Sequence, residues 1–164
     1  MYIQLPYMFI FEITDAFNAA KLKFAVVGGY ALALHGLVRA TMDVDFVLSL
    51  TKEDFELAEK TLQKVGLQSR IPVRAQDLIS MRQEYIENRN LIAWSFVDYK
   101  DPSRQVDILI TKDLKTMDIE KVSVGGRKIP VASLHELLKM KTESGRPQDL
   151  IDIENIKAKL REKG

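Results

Sequence analysis

Two aspartates interrupt a segment that otherwise asks for burial: residues 26–48 read VVGGYALALHGLVRATMDVDFVL. On a strand, residues two apart project from the same face, so Asp43 and Asp45 share one side while Val44, Phe46 and Leu48 take the other. Two carboxylates that close repel each other unless something positive lies between them. The strand therefore needs a fold that buries one of its faces and leaves the other open to a cation. The residues just before it sharpen this. FAVV, residues 24–27, is a short β-rich run that ends in Gly28-Gly29, and YALALHGL follows with strong helix formers. A glycine pair between a strand and a helix lets backbone N–H groups approach an anion closely at the helix N-terminus. Arg39 and Thr41 add a cation and a hydroxyl in the turn that leads into the acidic strand. Phosphate cradle, cation and metal-binding carboxylates are the parts of a nucleoside triphosphate (NTP) site.

A third carboxylate stands in RQVDILI, where Asp107 breaks another apolar run. If that strand lies beside the first, three carboxylates converge. Mg²⁺ takes one or two carboxylates and keeps positions for water and phosphate, and a triad can hold two such ions for in-line attack at phosphorus.

The rest of the chain frames this unit. Residues 9–22 have helical apolar spacing, and TKED from Thr51 is a helix start signal for a segment running to about Val65. AQDLISMRQEY reads as helical. LIAWSFVDY and RQVDILI, joined by the turn KDPS, read as an antiparallel hairpin. KVSVGGRKIPVA supplies two more extended runs, and SLHELLKMKTES and PQDLIDIENIKAKLREK read as two closing helices. The expected class is α/β (α+β), a mixed sheet flanked by helices. The expected organisation is a single domain over 1–164, with a core at about 20–130 and a helical part at about 131–164.

Composition narrows the function classes. The 164 residues are 46% hydrophobic and 29% charged, with a net charge of +1, so no whole-surface grip on nucleic acid is expected. No run of about 18 apolar residues suggests a membrane span. The first 20 positions carry no Lys or Arg, unlike a signal peptide, and the absence of cysteine excludes disulfides and fits a cytoplasmic setting. Arg70, Arg74, Arg82 and Arg89 form a basic cluster that Asp77, Glu84 and Glu87 dilute.

The spacing of an apolar run, Gly-Gly, thirteen residues and then Asp-Val-Asp-Phe resembles the signature of the DNA polymerase β-like nucleotidyltransferases. It is most similar to the minimal nucleotidyltransferases, including the toxin-type enzymes of abortive-infection systems (AbiEii-like). SLHELLKMKTESGRPQDLIDIE extends the resemblance through Lys141, Arg146, Asp149 and Asp152. The resemblance implies two Mg²⁺ ions, an NTP substrate and transfer of a nucleotidyl group to a hydroxyl with loss of pyrophosphate. It implies that Gly28 and Gly29 bind the β and γ phosphates, and that Asp43 and Asp45 hold the metals. Asp107 would hold the catalytic metal and help deprotonate the acceptor. Arg39, Thr41, Lys141 and Arg146 become nucleotide-binding candidates. The acceptor is left open among a tRNA 3′ end, a protein hydroxyl and a small molecule such as an aminoglycoside. A toxin acting on tRNA would have a cognate antitoxin as partner. The alternative is a nucleotide-binding regulatory module that does not turn over.

Other conspicuous residues read as structural. His35 and Trp94 are expected to pack, and His135 to lie on the surface. Tyr30 fits the core as well as the nucleotide. Asp149 and Asp152, three apart on a helix, either face solvent or orient Lys141 and Arg146.

Overall fold

In the computed structural model, which describes residues 6–38, 41 and 43–163, the apolar runs become seven strands. They are β1 (Ala25–Val27), β2 (Val44–Val47), β3 (Gln68–Ser69), β4 (Ala93–Asp98), β5 (Asp101–Leu109), β6 (Ile119–Val124) and β7 (Arg127–Ala132). All join one sheet in the order β3-β4-β5-β2-β1-β7-β6. The sheet is mixed: β2 runs parallel to β5 and β1 parallel to β7, while the other neighbours are antiparallel. Seven α-helices accompany it: α1 (Pro6–Ala19), α2 (Gly28–Leu34), α3 (Lys52–Lys64), α4 (Ala75–Ser80), α5 (Arg82–Arg89), α6 (Leu134–Ser144) and α7 (Asp149–Lys163). This is the expected α/β class.

One face of the central strands is the core. Phe46, Trp94, Phe96, Val106 and Ile108 alternate inward and are fully buried. Phe17 of α1 meets Phe46 edge-on at 5.0 Å, and Phe55 of α3 stacks on Trp94 at 6.0 Å. The intervening residues Ala93, Ser95, Gln105, Asp107 and Leu109 face the other way and are only half-buried. The period-two pattern of the sequence thus becomes a dry face and an open one.

Helix ends follow local chemistry. The Thr51 hydroxyl caps α3 by accepting from the Asp54 N–H at 3.2 Å, and Ser133 caps α6 by accepting from Glu136 N–H at 3.1 Å. Gly145 closes α6 in the left-handed region with φ of 61°. One expectation is refined and one needs correction. AQDLISMRQEY is helical as two helices, because Met81 leaves helical dihedrals, its N–H closing α4 on Asp77 O while its carbonyl accepts from Tyr85 in α5. Asp43 is not inside a strand: β2 begins at Val44, and Asp43 occupies the bend before it.

Candidate active site

Register brings the acidic residues together. In the parallel pair β2 and β5, Asp45 lies opposite Asp107, and on its other side Asp45 lies opposite Val27 of β1. Cross-strand partners share a face, so two carboxylates 62 positions apart in sequence become neighbours. Asp43, one turn of chain earlier, lines the same cleft of about 410 Å³.

The glycine pair is shaped to the carboxylate. Gly28 has φ of 71°, and a Cβ there would lie 2.0 Å from Asp45 Oδ2. A Cβ on Gly29 would lie 2.8 Å from Thr41 Oγ1. Any side chain at position 28 therefore meets both backbone strain and a collision. Thr41 itself donates its hydroxyl to the Asp43 carbonyl at 3.4 Å.

Electrostatically the triad is unsatisfied. The Asp45 carboxyl is pushed up to about 8, first by burial, then by the charge of Asp107 and a hydrogen bond shared with it, then by Asp43, with Lys141 opposing. Asp43 is also raised, by burial and by Asp107, with Arg70 offsetting part. Gln105, two residues before Asp107 on the same strand face, donates to Asp107 Oδ1 at 3.0 Å.

On the α6 side the cleft is lined by Lys141 and Arg146. Lys141 Nζ is 3.1 Å from Asp149 Oδ1 and 2.9 Å from Asp152 Oδ2, and Arg146 Nε is 3.0 Å from Asp149 Oδ2. Ser144 donates to the same carboxylate. Asp149 is 1% exposed. Burial alone would raise its carboxyl, but the hydrogen bonds from Ser144, Arg146 and Lys141 outweigh that and hold it well below the usual carboxylate range. The acidic pair of α7 is thus buried and engaged, and it fixes the direction of Lys141.

The structure brings Gly28, Gly29, Thr41, Asp43, Asp45, Asp107, Lys141 and Arg146 to one cleft. Arg39 lies outside the described residues. His35 Nε2–H donates to Ala132 O, 2.8 Å away, in a packing role. Trp94 is core, with its indole N–H on Ser69 Oγ at 2.9 Å.

Among the described residues, no three carboxylate, imidazole or thiolate groups stand in a finished metal-ligand arrangement. The donor chemistry still fits a hard divalent cation, since all three side chains are carboxylates and the nearby Lys141 and Arg70 offset only part of what raises Asp45 and Asp43.

Sequence reasoning missed three features. Gln105 had a signal, being two residues from Asp107 in a strand. Ser144 had none. An adjoining, more apolar cleft of about 580 Å³, with Ile92, Leu109, Leu137 and Met140 on its walls, also went unread, because its walls come from β5, α6 and the chain before β4.

A protein family described as nucleotidyl transferase AbiEii toxin, type IV toxin–antitoxin system, matches residues 13–160. No curated protein matches the sequence. Among solved structures, the antibiotic-resistance enzyme ANT(2″)-Ia bound to adenylyl-2″-tobramycin has a similar fold (TM-score 0.66, 12% identity, covering 98% of this chain and 91% of that one). So has the lincosamide antibiotic adenylyltransferase LnuA bound to lincomycin (TM-score 0.63, 16% identity, 91% and 94%). A candidate nucleotidyltransferase of Thermotoga maritima matches with a TM-score of 0.58 at 18% identity, covering 98% and 96%.

Proposed function

This chain belongs to the nucleotidyl transferase AbiEii toxin family, and on that premise we propose that it moves a nucleoside monophosphate from an NTP to a hydroxyl acceptor. The observation that carries the reading is the in-register pairing of Asp45 with Asp107 beside a glycine that no side chain can replace.

In this reading the triphosphate lies along the cleft with its outer phosphates at Gly28 and Gly29, where the backbone can approach an anion. Asp43, Asp45 and Asp107 would hold two Mg²⁺ ions, whose chemistry is to neutralise the triphosphate and polarise the α-phosphoryl group. Lys141, aimed by Asp149 and Asp152, supplies a compact positive charge to the phosphates, and Arg146 and Thr41 add hydrogen bonds. The acceptor oxygen bonds to the α-phosphorus while the bond to the bridging oxygen breaks. Pyrophosphate leaves with that electron pair, and the hydroxyl proton passes to Asp107.

The structural neighbours named for antibiotic ligands modify small molecules, whereas the family description is that of a toxin. We take the toxin as the leading case, with a cognate antitoxin as partner and a tRNA 3′ end or a protein hydroxyl as acceptor. The experiment is to incubate the protein with each labelled NTP, Mg²⁺ and a total cell extract, and to find which molecule acquires label. Transfer by the native chain and none by Asp45→Asn supports the reading. NTP binding without transfer to any pool would leave a regulatory module in its place.

A further inference from the structure

Asp107 is oriented by its own strand. Gln105, Val106 and Asp107 are consecutive in β5, so Gln105 and Asp107 point to the same open face. The Gln105 amide donates from Nε2 to Asp107 Oδ1 at 3.0 Å, and the pair is part-buried. Among the described residues no other N–H donates to that carboxylate, which also shares a hydrogen bond with Asp45. Val106 pairs with Val44, the residue that follows Asp43, so Gln105 stands on the stretch of β5 beside the Asp43 bend. One amide therefore sits where the three acids converge.

The chemistry of this donor matters as much as its place. A lysine or arginine at position 105 would pair with Asp107 and supply from within the charge that a bound cation would bring. A glutamate would add a fourth negative charge. A primary amide is neutral: it fixes a carboxylate through one N–H and brings no counter-charge. Asp149 shows the opposite arrangement. Its carboxylate accepts from Ser144, Arg146 and Lys141, so both neighbouring cations are bonded to it. Asp149 is held and neutralised, whereas Asp107, among the described residues, is held without a bonded counter-ion.

We propose that Gln105 is a positioning residue: by occupying Asp107 Oδ1 it fixes the plane of that carboxylate and reserves Oδ2 for the divalent cation and the accepting hydroxyl. This rests on the transfer reading above for what the carboxylate does. A carboxylate that is free to turn gives up rotamer freedom when an ion binds, and one already fixed does not. Groups that orient a metal ligand in this way commonly set metal affinity or activity by roughly ten- to a hundredfold. Gln105 acts through Asp107, and no bond to nucleotide or acceptor is assigned to it.

The test is titration of the full chain with Mn²⁺, a hard ion that takes oxygen sites of the Mg²⁺ type, followed by electron paramagnetic resonance, which reads free ion and needs no turnover. Gln105→Met keeps the length and removes the donor. Its Mn²⁺ dissociation constant is expected to rise about tenfold, with the melting temperature in chelator unchanged. Gln105→Lys should weaken Mn²⁺ binding further and raise the melting temperature in chelator, because the ammonium takes the place of the ion. In transfer assays Gln105→Met should lower kcat about tenfold and leave the KM for NTP little changed, since the triphosphate is held at Gly28, Gly29 and Lys141. Native Mn²⁺ affinity in Gln105→Met overturns the proposal. So does a fall in kcat with affinity unchanged, which would put Gln105 against the acceptor itself. A lower melting temperature in chelator would make the amide a structural group and overturns it as well. The native chain's failure to bind Mn²⁺ would instead overturn the metal reading of the cleft, and Gln105 with it, a result distinct from equal binding by the two chains.

Discussion

Two acidic clusters lie on either side of one cleft, and their environments push them in opposite directions. Asp45 is buried against Asp43 and Asp107 and rises to about 8. Asp149, buried still more completely, is depressed, because Lys141, Arg146 and Ser144 all reach it. Burial is common to both, so it does not explain the difference. What separates them is where the compensating positive charge comes from. The α7 cluster is bonded directly to Lys141 and Arg146, whereas the β2–β5 carboxylates feel Lys141 and Arg70 only at a distance, and among the described residues no ion pair holds them. The first is a structural joint between α6 and α7, and the second, on the proposed reading, is where the metal ions bind.

The strongest way to break this contrast is to neutralise each side in turn. Asp45→Asn should reduce transfer by on the order of a thousandfold or more, while raising the melting temperature of the metal-free protein by removing repulsion. A melt that falls in that variant would mean the carboxylate is structural after all. Asp149→Ala should instead lower the melting temperature. Leaving Lys141 with fewer partners in a buried joint is expected to cost about 3 kcal/mol, measured by urea unfolding.

Added Mg²⁺ sharpens the comparison next. If the β2–β5 cluster binds the ion, Mg²⁺ at a hundred times its dissociation constant should stabilise the native chain by about 2.7 kcal/mol and leave Asp45→Asn much less affected.

The pH response should also differ in sign. With metal chelated, Asp45 holds a proton in the native state that the unfolded chain has released, since the unfolded value is near 3.9. Stability should therefore fall as pH rises from about 4 to about 8, and Asp45→Asn should flatten that fall. Asp149 has a depressed native value, so its contribution is present above the unfolded value and is lost as pH falls through the native one. Acid unfolding of Asp149→Asn should be correspondingly less steep.

The smallest effect is expected at Arg146, whose side chain is 56% exposed. Arg146→Ala should change stability by only a few tenths of a kcal/mol. Its effect should appear in the KM for NTP, which equilibrium unfolding does not read.

Much of this contrast is legible in the sequence, but unevenly. Asp45 and Asp107 stand out because each breaks an apolar run, and the period of two gives their facing without a structure. The expected mixed sheet follows from the same runs. Their pairing is another matter: β2 lies between β1 and β5 because of long-range docking, which no local pattern encodes. Asp149 and Asp152 show the opposite limit. Their spacing gives one helical face, yet a solvated face and a buried joint have the same spacing, and only packing against α6 decides. Met81 shows how a single residue can divide one periodic run into two helices without any glycine or proline to announce it.

The parallel pairing of β2 with β5 also sets when the cleft can exist. Strands that pair this way need a long crossover, and here it spans α3, β3, α4, α5 and β4 before Asp107 arrives beside Asp45. Lys141 comes later still, on α6. A chain emerging from the ribosome therefore carries Asp43 and Asp45 without Asp107 or Lys141 until β5 and α6 have been made. On the proposed reading, the catalytic geometry is complete only once β5 and α6 have followed β2.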